Sequence, residues 1–205
     1  MDEYYPTDCE YEIITEQKER IKELLLKGGQ PFDLIELGAG DGMKTEQLLA
    51  YLFNEGVDFK YLPNDISSNI LKKVQKDMNN KYPSIIVEPL HDEYFNALEK
   101  LGEKSTNKKV VLFLGGNIGN FSDDESLNFL RTLKNKLQKD DILLIGFDLK
   151  KDPGLIMDAY NDPHDITKQF NLNLLKRINK ELGGDIDLNN FYHHITYDPV
   201  TGEMK

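Results

Sequence analysis

Apolar and polar residues follow two rhythms along this chain. Short, continuous apolar runs such as residues 110–114 and 142–145 indicate strands that are covered on both faces of a sheet. Longer stretches place apolar residues at helical intervals, and the stretch at 123–138 opens at Ser122 with the spacing of a capping box. The predicted strands lie near 33–38, 60–65, 84–89, 109–115, 141–148 and 191–197. The predicted helices cover 15–27, 43–55, 67–80, 93–101 and 123–138, with two more between 153 and 182. This alternation predicts an α/β fold with a doubly wound, mostly parallel sheet and ligands at the carboxyl ends of its strands.

Residues 191–205 depart from the alternation of strands and helices. Residues 191–197 alternate as a strand, and Asp198-Pro-Val-Thr-Gly202 is a strong turn signal, yet only three residues follow it. A strand left unpaired at the edge of a sheet is unusual. We therefore expect one domain over residues 1–205 whose sheet is incomplete at the carboxyl-terminal strands, as in a shortened chain.

Composition narrows the class of protein. The 205 residues include 36 acidic and 25 basic side chains, which gives a net charge of −11 and argues against a nucleic-acid-coating surface. No apolar run approaches the ~20 residues that cross a bilayer, and no basic-then-apolar leader is visible. The single cysteine, Cys9, allows no internal disulfide, so a cytoplasmic location is expected. His193 and His194 are adjacent and face opposite sides of a strand, so no metal site is predicted.

The most informative segment is Asp33-Leu-Ile-Glu-Leu-Gly-Ala-Gly-Asp-Gly-Met-Lys-Thr45. A buried strand ends here in three glycines and passes into a helix, a bend that lets a ligand approach the backbone and the helix N-terminus. The G-x-G-x-G spacing differs from the G-x-G-x-x-G of dinucleotide enzymes and also occurs in methyltransferases that use S-adenosylmethionine. A tight turn without a ligand is the third interpretation. The second strand ends at Asp65, an acid placed to accept ribose hydroxyl groups.

The other strands also end in polar or glycine-rich segments, where a continued apolar run would otherwise be expected. Because the carboxyl ends of parallel strands meet at one edge of a sheet, these segments should converge on a single site. They are His91-Asp-Glu93, Gly115-Gly-Asn-Ile-Gly-Asn-Phe121, Asp148-Leu-Lys-Lys-Asp152 and, on the next helix, Ala159-Tyr-Asn-Asp162.

Five segments together resemble the histidine-specific, S-adenosylmethionine-dependent methyltransferases, whose best-known members methylate the α-amino group of L-histidine toward ergothioneine. The resemblance runs from Tyr4 to about Tyr197 and is most specific at residues 115–121 and 170–179. It implies a Rossmann-like class I methyltransferase fold and a small-molecule amino-acid substrate. The matching segments are Tyr4-Tyr-Pro-Thr7, Glu36-Leu-Gly-Ala-Gly40 with Lys44-Thr45, Gly115–Phe121, Ala159–Asp162 and Phe170–Asn179.

The resemblance implies a role for each matching position on the cofactor side. Lys44 would pair with the carboxylate of S-adenosylmethionine, and Asp65 would hold the ribose hydroxyls. An acid after the third strand would meet the adenine amino group, and the alignment there is ambiguous by one residue. The implied cofactor-binding set is Gly38, Gly40, Lys44, Asp65 and Asp92 or Glu93.

On the substrate side, the resemblance implies that Asn120 orients the amino group, Tyr160 holds the carboxylate and Tyr5 lines the site. Typical members follow Tyr-Pro-Thr with Arg-Thr-Glu, whereas this chain has Asp8-Cys9-Glu10. The family's carboxyl-terminal substrate region has no counterpart in residues 1–205. Three functions therefore stay open at this point: an amino-acid N-methyltransferase, an inactive domain that binds the cofactor, and a nicotinamide-dependent oxidoreductase.

Overall fold

The computed structural model describes residues 4–27, 29 and 31–205, with only the backbone described at 101–104. These residues divide into two compact units. The larger unit is Cys9–Asp148, and the smaller one combines residues 4–8 with Leu149–Lys205.

The helices and strands alternate through most of the chain. The α-helices are α1 (Tyr5–Glu16), α2 (Lys18–Leu26), α3 (Met43–Asn54), α4 (Ser68–Lys81), α5 (Tyr94–Lys104), α6 (Asp123–Lys136), α7 (Pro153–Tyr160) and α8 (Ile166–Leu182). The strands are β1 (Phe32–Leu37), β2 (Phe59–Asp65), β3 (Ile86–Val87), β4 (Leu90–His91), β5 (Lys108–Phe113) and β6 (Ile142–Ile145). Short 3₁₀ helices cover Asn117–Asn120 and Leu188–Asn190. Among the residues that the structure describes, no helix has the length and apolar character needed to cross a bilayer.

All of the strands join one parallel sheet within the larger unit. Its order is β3-β2-β1-β5-β6, and β4 also pairs with β2. The chain therefore winds outward from β1 to one side and then from β5 to the other, which places a topological switch point between β1 and β5. This order confirms the predicted α/β fold with a doubly wound, mostly parallel sheet.

The core of the larger unit lies on both faces of this sheet. Every residue of β1 is buried. One apolar cluster joins Leu34 to Leu49 of α3 and Val74 of α4, and a second joins Ile35 to Phe129 of α6. Because helices cover both faces, β5 contains the continuous apolar run by which it was predicted, residues 110–113.

The single strand predicted over 84–89 is wrong. Two short strands, β3 and β4, lie here instead, and each pairs with β2. Pro89 separates them and has no N–H group to donate to a ladder. The N–H group of Glu88 donates to the carbonyl of Tyr61 at 2.9 Å, so the segment stays against the sheet despite the break.

The strand predicted over 191–197 is also wrong. Its residues form no ladder within the described chain apart from an isolated bridge at Tyr197. The ring of His193 is bonded instead to the main-chain oxygen of Tyr160 at 2.9 Å and lies 3.4 Å from the amide nitrogen of Asn171. Side-chain hydrogen bonds to α7 and α8 therefore hold the segment, which an alternating sequence cannot reveal.

The turn predicted at 198–202 is confirmed. The N–H group of Gly202 donates to Asp198 at 2.7 Å, and Gly202 adopts the left-handed conformation with φ +82°. Thr196 and Lys205 exchange two backbone hydrogen bonds of 2.7 and 2.8 Å across this turn. The last three residues thus close a short hairpin.

The helix predicted over 15–27 is wrong at its start. The structure has two helices, α1 and α2, which are separated at Gln17. Pro6 lies in the first turn of α1, where a missing N–H group costs no helical hydrogen bond. Ile14 is the one buried residue among those described in α1. The sequence of α1 therefore has no apolar stripe from which the helix could be predicted.

We expect Leu49→Ala to lower the free energy of unfolding by about 2–5 kcal/mol, because this fully buried side chain would leave a cavity beside β1. The matched control is Leu127→Ala in α6, where the side chain is 46% exposed. The control should change stability by no more than about 0.5 kcal/mol. Urea denaturation measures both variants, and equal losses would contradict this description of the core.

Candidate functional site

The glycine turn joins β1 to α3 through left-handed backbone conformations. Gly38, Gly40 and Gly42 have φ values of +72°, +53° and +71°, which side-chain-bearing residues rarely adopt. A Cβ atom on Gly38 would lie 3.1 Å from the hydroxyl of Tyr94 and 3.5 Å from the amide nitrogen of Asn117. Because Gly38 has no side chain, its backbone can lie at the edge of the sheet between the side chains of Tyr94 and Asn117.

Asn64, the residue before the end of β2, fixes this turn. Its main-chain oxygen accepts hydrogen bonds from the N–H groups of both Gly38 and Ala39 at 2.9 Å. Its buried side-chain amide donates to the main-chain oxygens of Leu90 and Asp92, each at 2.8 Å. One asparagine thus holds the turn after β1 and the loop after β4 against the end of β2.

Asp65 lies beside the glycine turn, as predicted. Its carboxylate accepts hydrogen bonds from the N–H groups of Gly40 at 3.2 Å and Ser67 at 2.8 Å. Two backbone donors thus fix the orientation of the carboxylate. A carboxylate has about four acceptor positions, so it can still bind the hydroxyl groups of a ligand.

A pocket of about 350 Å³ opens beside this acid. Its volume is within the range of small-molecule sites, and aromatic rings form much of its wall. Tyr94 packs edge-on against Phe113 and Phe129 at 5.6 and 6.3 Å, and burial with the charge of Asp65 raises the pKa of its hydroxyl. A flat apolar group attached to a hydroxylated sugar would match this wall. The lining residues are Gly38, Asp65, Ile66, Glu93, Tyr94, Phe95, Phe121 and Phe129.

The structure separates the two acids between which the sequence could not choose. Glu93 lines the pocket beside Asp65, whereas Asp92 does not. Asp92 accepts hydrogen bonds from the ammonium of Lys100, the amide of Asn96 at 3.2 Å and the N–H group of Glu93 at 2.9 Å. The hydrogen bond from Lys100 is the main reason that the pKa of Asp92 is lowered. Asp92 therefore holds the start of α5, and Glu93 is the acid placed at the pocket.

Lys44, in the first turn of α3, has a carboxylate partner within the chain. Its ammonium lies 2.5 Å from Glu10 of α1. The N–H group of Gly115 donates to both oxygens of the same carboxylate, at 2.7 and 2.9 Å. A Cβ atom on Gly115 would lie 3.3 Å from this ammonium and 3.5 Å from the amide nitrogen of Asn117. The ends of β1 and β5 therefore bring one ammonium, one amide and one N–H donor close together.

Glu36 forms a buried support beneath the turn. Its carboxylate accepts hydrogen bonds from the hydroxyls of Thr45 and Tyr61, both at 2.5 Å. Burial raises the pKa of the Glu36 carboxyl above its usual 4.5, against the lowering effects of those hydrogen bonds and of Lys44. Glu36 thus links β1, β2 and α3.

Asn120 ends the 3₁₀ helix that follows β5. It is exposed, and Phe121 next to it lines the pocket. The chain enters this helix through left-handed Gly115 and Gly116, with φ values of +79° and +64°. The sequence correctly indicated that this glycine-rich segment meets the turn after β1.

Among the residues of the larger unit that lie at the turn or pocket, Glu10, Tyr94 and Asn117 were not predicted from the sequence. Glu10 is on α1, which the sequence did not predict. Tyr94 follows the segment 91–93, and Asn117 lies within 115–121, but a tyrosine or an asparagine at these positions did not indicate a role. Tertiary packing brings Tyr94 to Gly38, and Asn117 to Gly38 and Gly115.

Tyr5 and Tyr160, the predicted substrate residues, belong to the smaller unit. The ring of Tyr160 packs edge-on against Tyr4 at 5.9 Å, and the ammonium of Lys151 lies 3.9 Å from the ring centre of Tyr5. In this unit an aromatic ring therefore packs against Tyr160, and an ammonium lies over the ring of Tyr5.

Asp162, the last residue of the polar segment 159–162, has a structural role. Its carboxylate accepts hydrogen bonds from the N–H groups of Ile166 and Thr167 at 2.7 and 2.8 Å. The hydrogen bond from Thr167 is the largest cause that lowers the pKa of Asp162 to about 2. Asp162 thus caps the start of α8 and fixes the chain just after Tyr160.

The fold and this edge of the sheet define an α/β protein whose strand ends form a pocket suited to a nucleoside. The chain belongs to the family of histidine-specific, S-adenosylmethionine-dependent methyltransferases, whose family model matches residues 1–205. Family membership makes S-adenosylmethionine the cofactor to consider and confirms the resemblance seen in the sequence.

Individual relatives agree with this assignment. The chain is 34% identical over 193 residues to the histidine N-alpha-methyltransferase of Mycolicibacterium smegmatis, a match that covers 94% of this chain and 58% of that protein. It is 29% identical over 208 residues to ergothioneine biosynthesis protein 1 of Schizosaccharomyces pombe, covering 98% of this chain and 27% of that protein. It is 26% identical over 224 residues to the L-tryptophan methyltransferase trpM of Psilocybe serbica, covering 98% and 62%. The chain therefore spans less than two thirds of each of these relatives.

The raised pKa of Glu36 leads to a pH-dependent prediction. The folded protein holds this carboxyl proton more tightly than the unfolded chain, so the resulting stability is complete below pH 4.5 and is lost as the pH rises through the raised pKa. Glu36→Gln removes this titration and keeps an acceptor oxygen. The free energy of unfolding of the variant, relative to the unaltered protein, should therefore increase as the pH rises above 4.5. Urea denaturation at a series of pH values measures the difference; a constant or falling difference would contradict the burial of Glu36.

Asp65→Ala should weaken binding of S-adenosylhomocysteine by about 1–3 kcal/mol, because the ribose hydroxyls would lose a charged acceptor. Asp65→Asn keeps an acceptor for Gly40 and should lose less. Asp124→Ala removes the same charge from an exposed position on α6 and is the matched control. Isothermal titration calorimetry measures all three variants, and unchanged affinity of Asp65→Ala would refute the ribose role.

Proposed function

We propose that this protein transfers methyl groups from S-adenosylmethionine to the α-amino nitrogen of an amino acid, with L-histidine as the first candidate. Membership of the histidine-specific methyltransferase family is the observation that carries this proposal. The relatives named for histidine methylation and ergothioneine biosynthesis support it. A cytoplasmic location, which suits a chain with one cysteine, belongs to the same proposal.

On the cofactor side, the pocket beside Asp65 would hold the adenosyl group. Asp65 would accept the ribose hydroxyls, and the aromatic wall with Tyr94 would cover the adenine. Glu93, which lines that pocket, suits the adenine amino group better than Asp92. The methionyl portion would lie along the backbone of Gly38 and Gly40 toward Lys44, whose ammonium suits its carboxylate.

The sulfonium of the bound cofactor supplies an electrophilic methyl group. The protein's part is to hold an unprotonated amine in line with the carbon–sulfur bond, and such positioning can supply about 7–11 kcal/mol of the barrier. The side-chain carbonyl of Asn120 would accept a hydrogen bond from an N–H group of the amine and so aim the lone pair of the nitrogen at the methyl group. Tyr160 would hold the substrate carboxylate, and Tyr5 would line the substrate side. Neither a metal nor a nucleophilic side chain is needed for these steps.

Two other functions were open from the sequence. Family membership disfavours the nicotinamide-dependent oxidoreductase, since the family uses S-adenosylmethionine. A domain that binds the cofactor without turnover is the remaining alternative. Tryptophan is a second candidate substrate, because a relative is named for its methylation.

The direct test incubates the protein with S-adenosylmethionine and either L-histidine or L-tryptophan, and detects methylated products by mass spectrometry. Methylated histidine, formed together with S-adenosylhomocysteine, is the expected result. Methylation of tryptophan without methylation of histidine would make tryptophan the substrate in place of histidine. Binding of S-adenosylhomocysteine without any methylated product would favour the inactive binding domain.

Asn120→Ala should lower kcat by about 100-fold, because the amine would no longer be aimed at the methyl group. Its affinity for S-adenosylhomocysteine should change little, since the proposed partner of Asn120 is the substrate. Asn135→Ala, an exposed amide on α6, is the matched control. Steady-state kinetics and calorimetry test the assignment, and an equal loss of turnover and cofactor affinity would move Asn120 to the cofactor side.

A further inference from the structure

The carboxylate of Glu10 occupies a position built for a carboxylate. Three hydrogen bonds reach it, one from the ammonium of Lys44 and two from the N–H group of Gly115. The side chain of Glu10 is 16% exposed and that of Lys44 is 27% exposed, so the pair is partly screened from water. An ammonium and a backbone N–H group that converge in this way form a binding site for an anion.

Gly146, just after β6, makes the room for this carboxylate. A Cβ atom at Gly146 would lie 2.0 Å from an oxygen of Glu10, far inside contact distance. The N–H group of Gly146 donates to the main-chain oxygen of Phe113 at 2.9 Å, which fixes the backbone at this place. The ends of β5 and β6 and the first turn of α3 therefore enclose one carboxylate, and α1 supplies it.

We propose that Glu10 holds the position of the cofactor carboxylate and leaves it when the cofactor binds. This inference rests on the proposed function, in which Lys44 pairs with the carboxylate of S-adenosylmethionine. Two carboxylates placed at one ammonium repel each other, so the incoming carboxylate must replace Glu10 at Lys44 and at the N–H group of Gly115. Glu10 is thereby an internal competitor that lowers affinity only for ligands that carry this carboxylate.

The alternative role for Glu10 gives an effect of opposite sign. If Glu10 only held Lys44 in place, or accepted a hydrogen bond from the cofactor ammonium, its loss would weaken cofactor binding. If Glu10 competes, its loss strengthens binding. The direction of the change therefore decides between the two roles.

The test compares two ligands by calorimetry on the unaltered protein, Glu10→Gln and Glu12→Gln. S-adenosylhomocysteine carries the amino-acid carboxylate, whereas 5′-methylthioadenosine lacks the whole amino-acid portion. Glu10→Gln keeps the size of the side chain and should bind S-adenosylhomocysteine about tenfold more tightly. Its affinity for 5′-methylthioadenosine should not change. Glu12→Gln removes one charge from an exposed position on the same helix and should leave both affinities unchanged.

Weaker or equal binding of S-adenosylhomocysteine to Glu10→Gln would overturn the inference. A crystal structure of the unaltered protein with S-adenosylhomocysteine gives an independent reading that needs no variant. It should show Lys44 and Glu10 separated by more than about 4 Å, the limit of an ion pair, and an intact pair would contradict displacement. If neither ligand binds the unaltered protein, the proposed function itself fails, and the inference fails with it.

Discussion

The arrangement of the site depends on one fully buried residue, Asn64. At the end of β2 its main-chain oxygen receives both N–H groups that open the glycine turn, while its side-chain amide holds the loop after β4. The left-handed glycines make such a turn possible, but the two hydrogen bonds to the main-chain oxygen of Asn64 decide where it lies. Asp65 directly follows Asn64, and Glu93 directly follows Asp92, whose main-chain oxygen accepts from the Asn64 amide. Both acids therefore line the same pocket.

Charge at the edge of the sheet is balanced by close pairing. Glu36 is buried beneath the turn with two hydroxyl donors, and Lys44 above it pairs with Glu10. Although the protein has a net charge of −11, the ammonium of Lys44 lies where the ends of β1 and β5 meet. Within the described part of the chain, no ammonium lines the aromatic pocket beside Asp65. The site therefore divides into an aromatic part suited to a base and a part with the Lys44 ammonium that suits an amino acid.

The sequence predicted the parts of this structure that depend on neighbours along the chain. The mostly apolar sequence of β1, the three glycines after it and the acid ending β2 are local features. The alternation of strands and helices predicted the doubly wound sheet. Residues that act through tertiary contacts were not predictable in this way. Glu10 reaches Lys44 from a helix without an apolar stripe, and Asn64 resembles any polar residue at a strand end. The alternation at 191–197 misled for the same reason, because His193 is bonded to Tyr160 rather than to a neighbouring strand.

If the ends of β1 and β2 bind an adenosyl cofactor that carries an amino acid, the protein must distinguish this cofactor from a dinucleotide. Calorimetric titration of the unaltered protein with S-adenosylhomocysteine, and separately with NAD, measures that difference. We expect saturable, one-site binding of S-adenosylhomocysteine and no measurable binding of NAD. Saturable binding of NAD together with no heat from S-adenosylhomocysteine would contradict it.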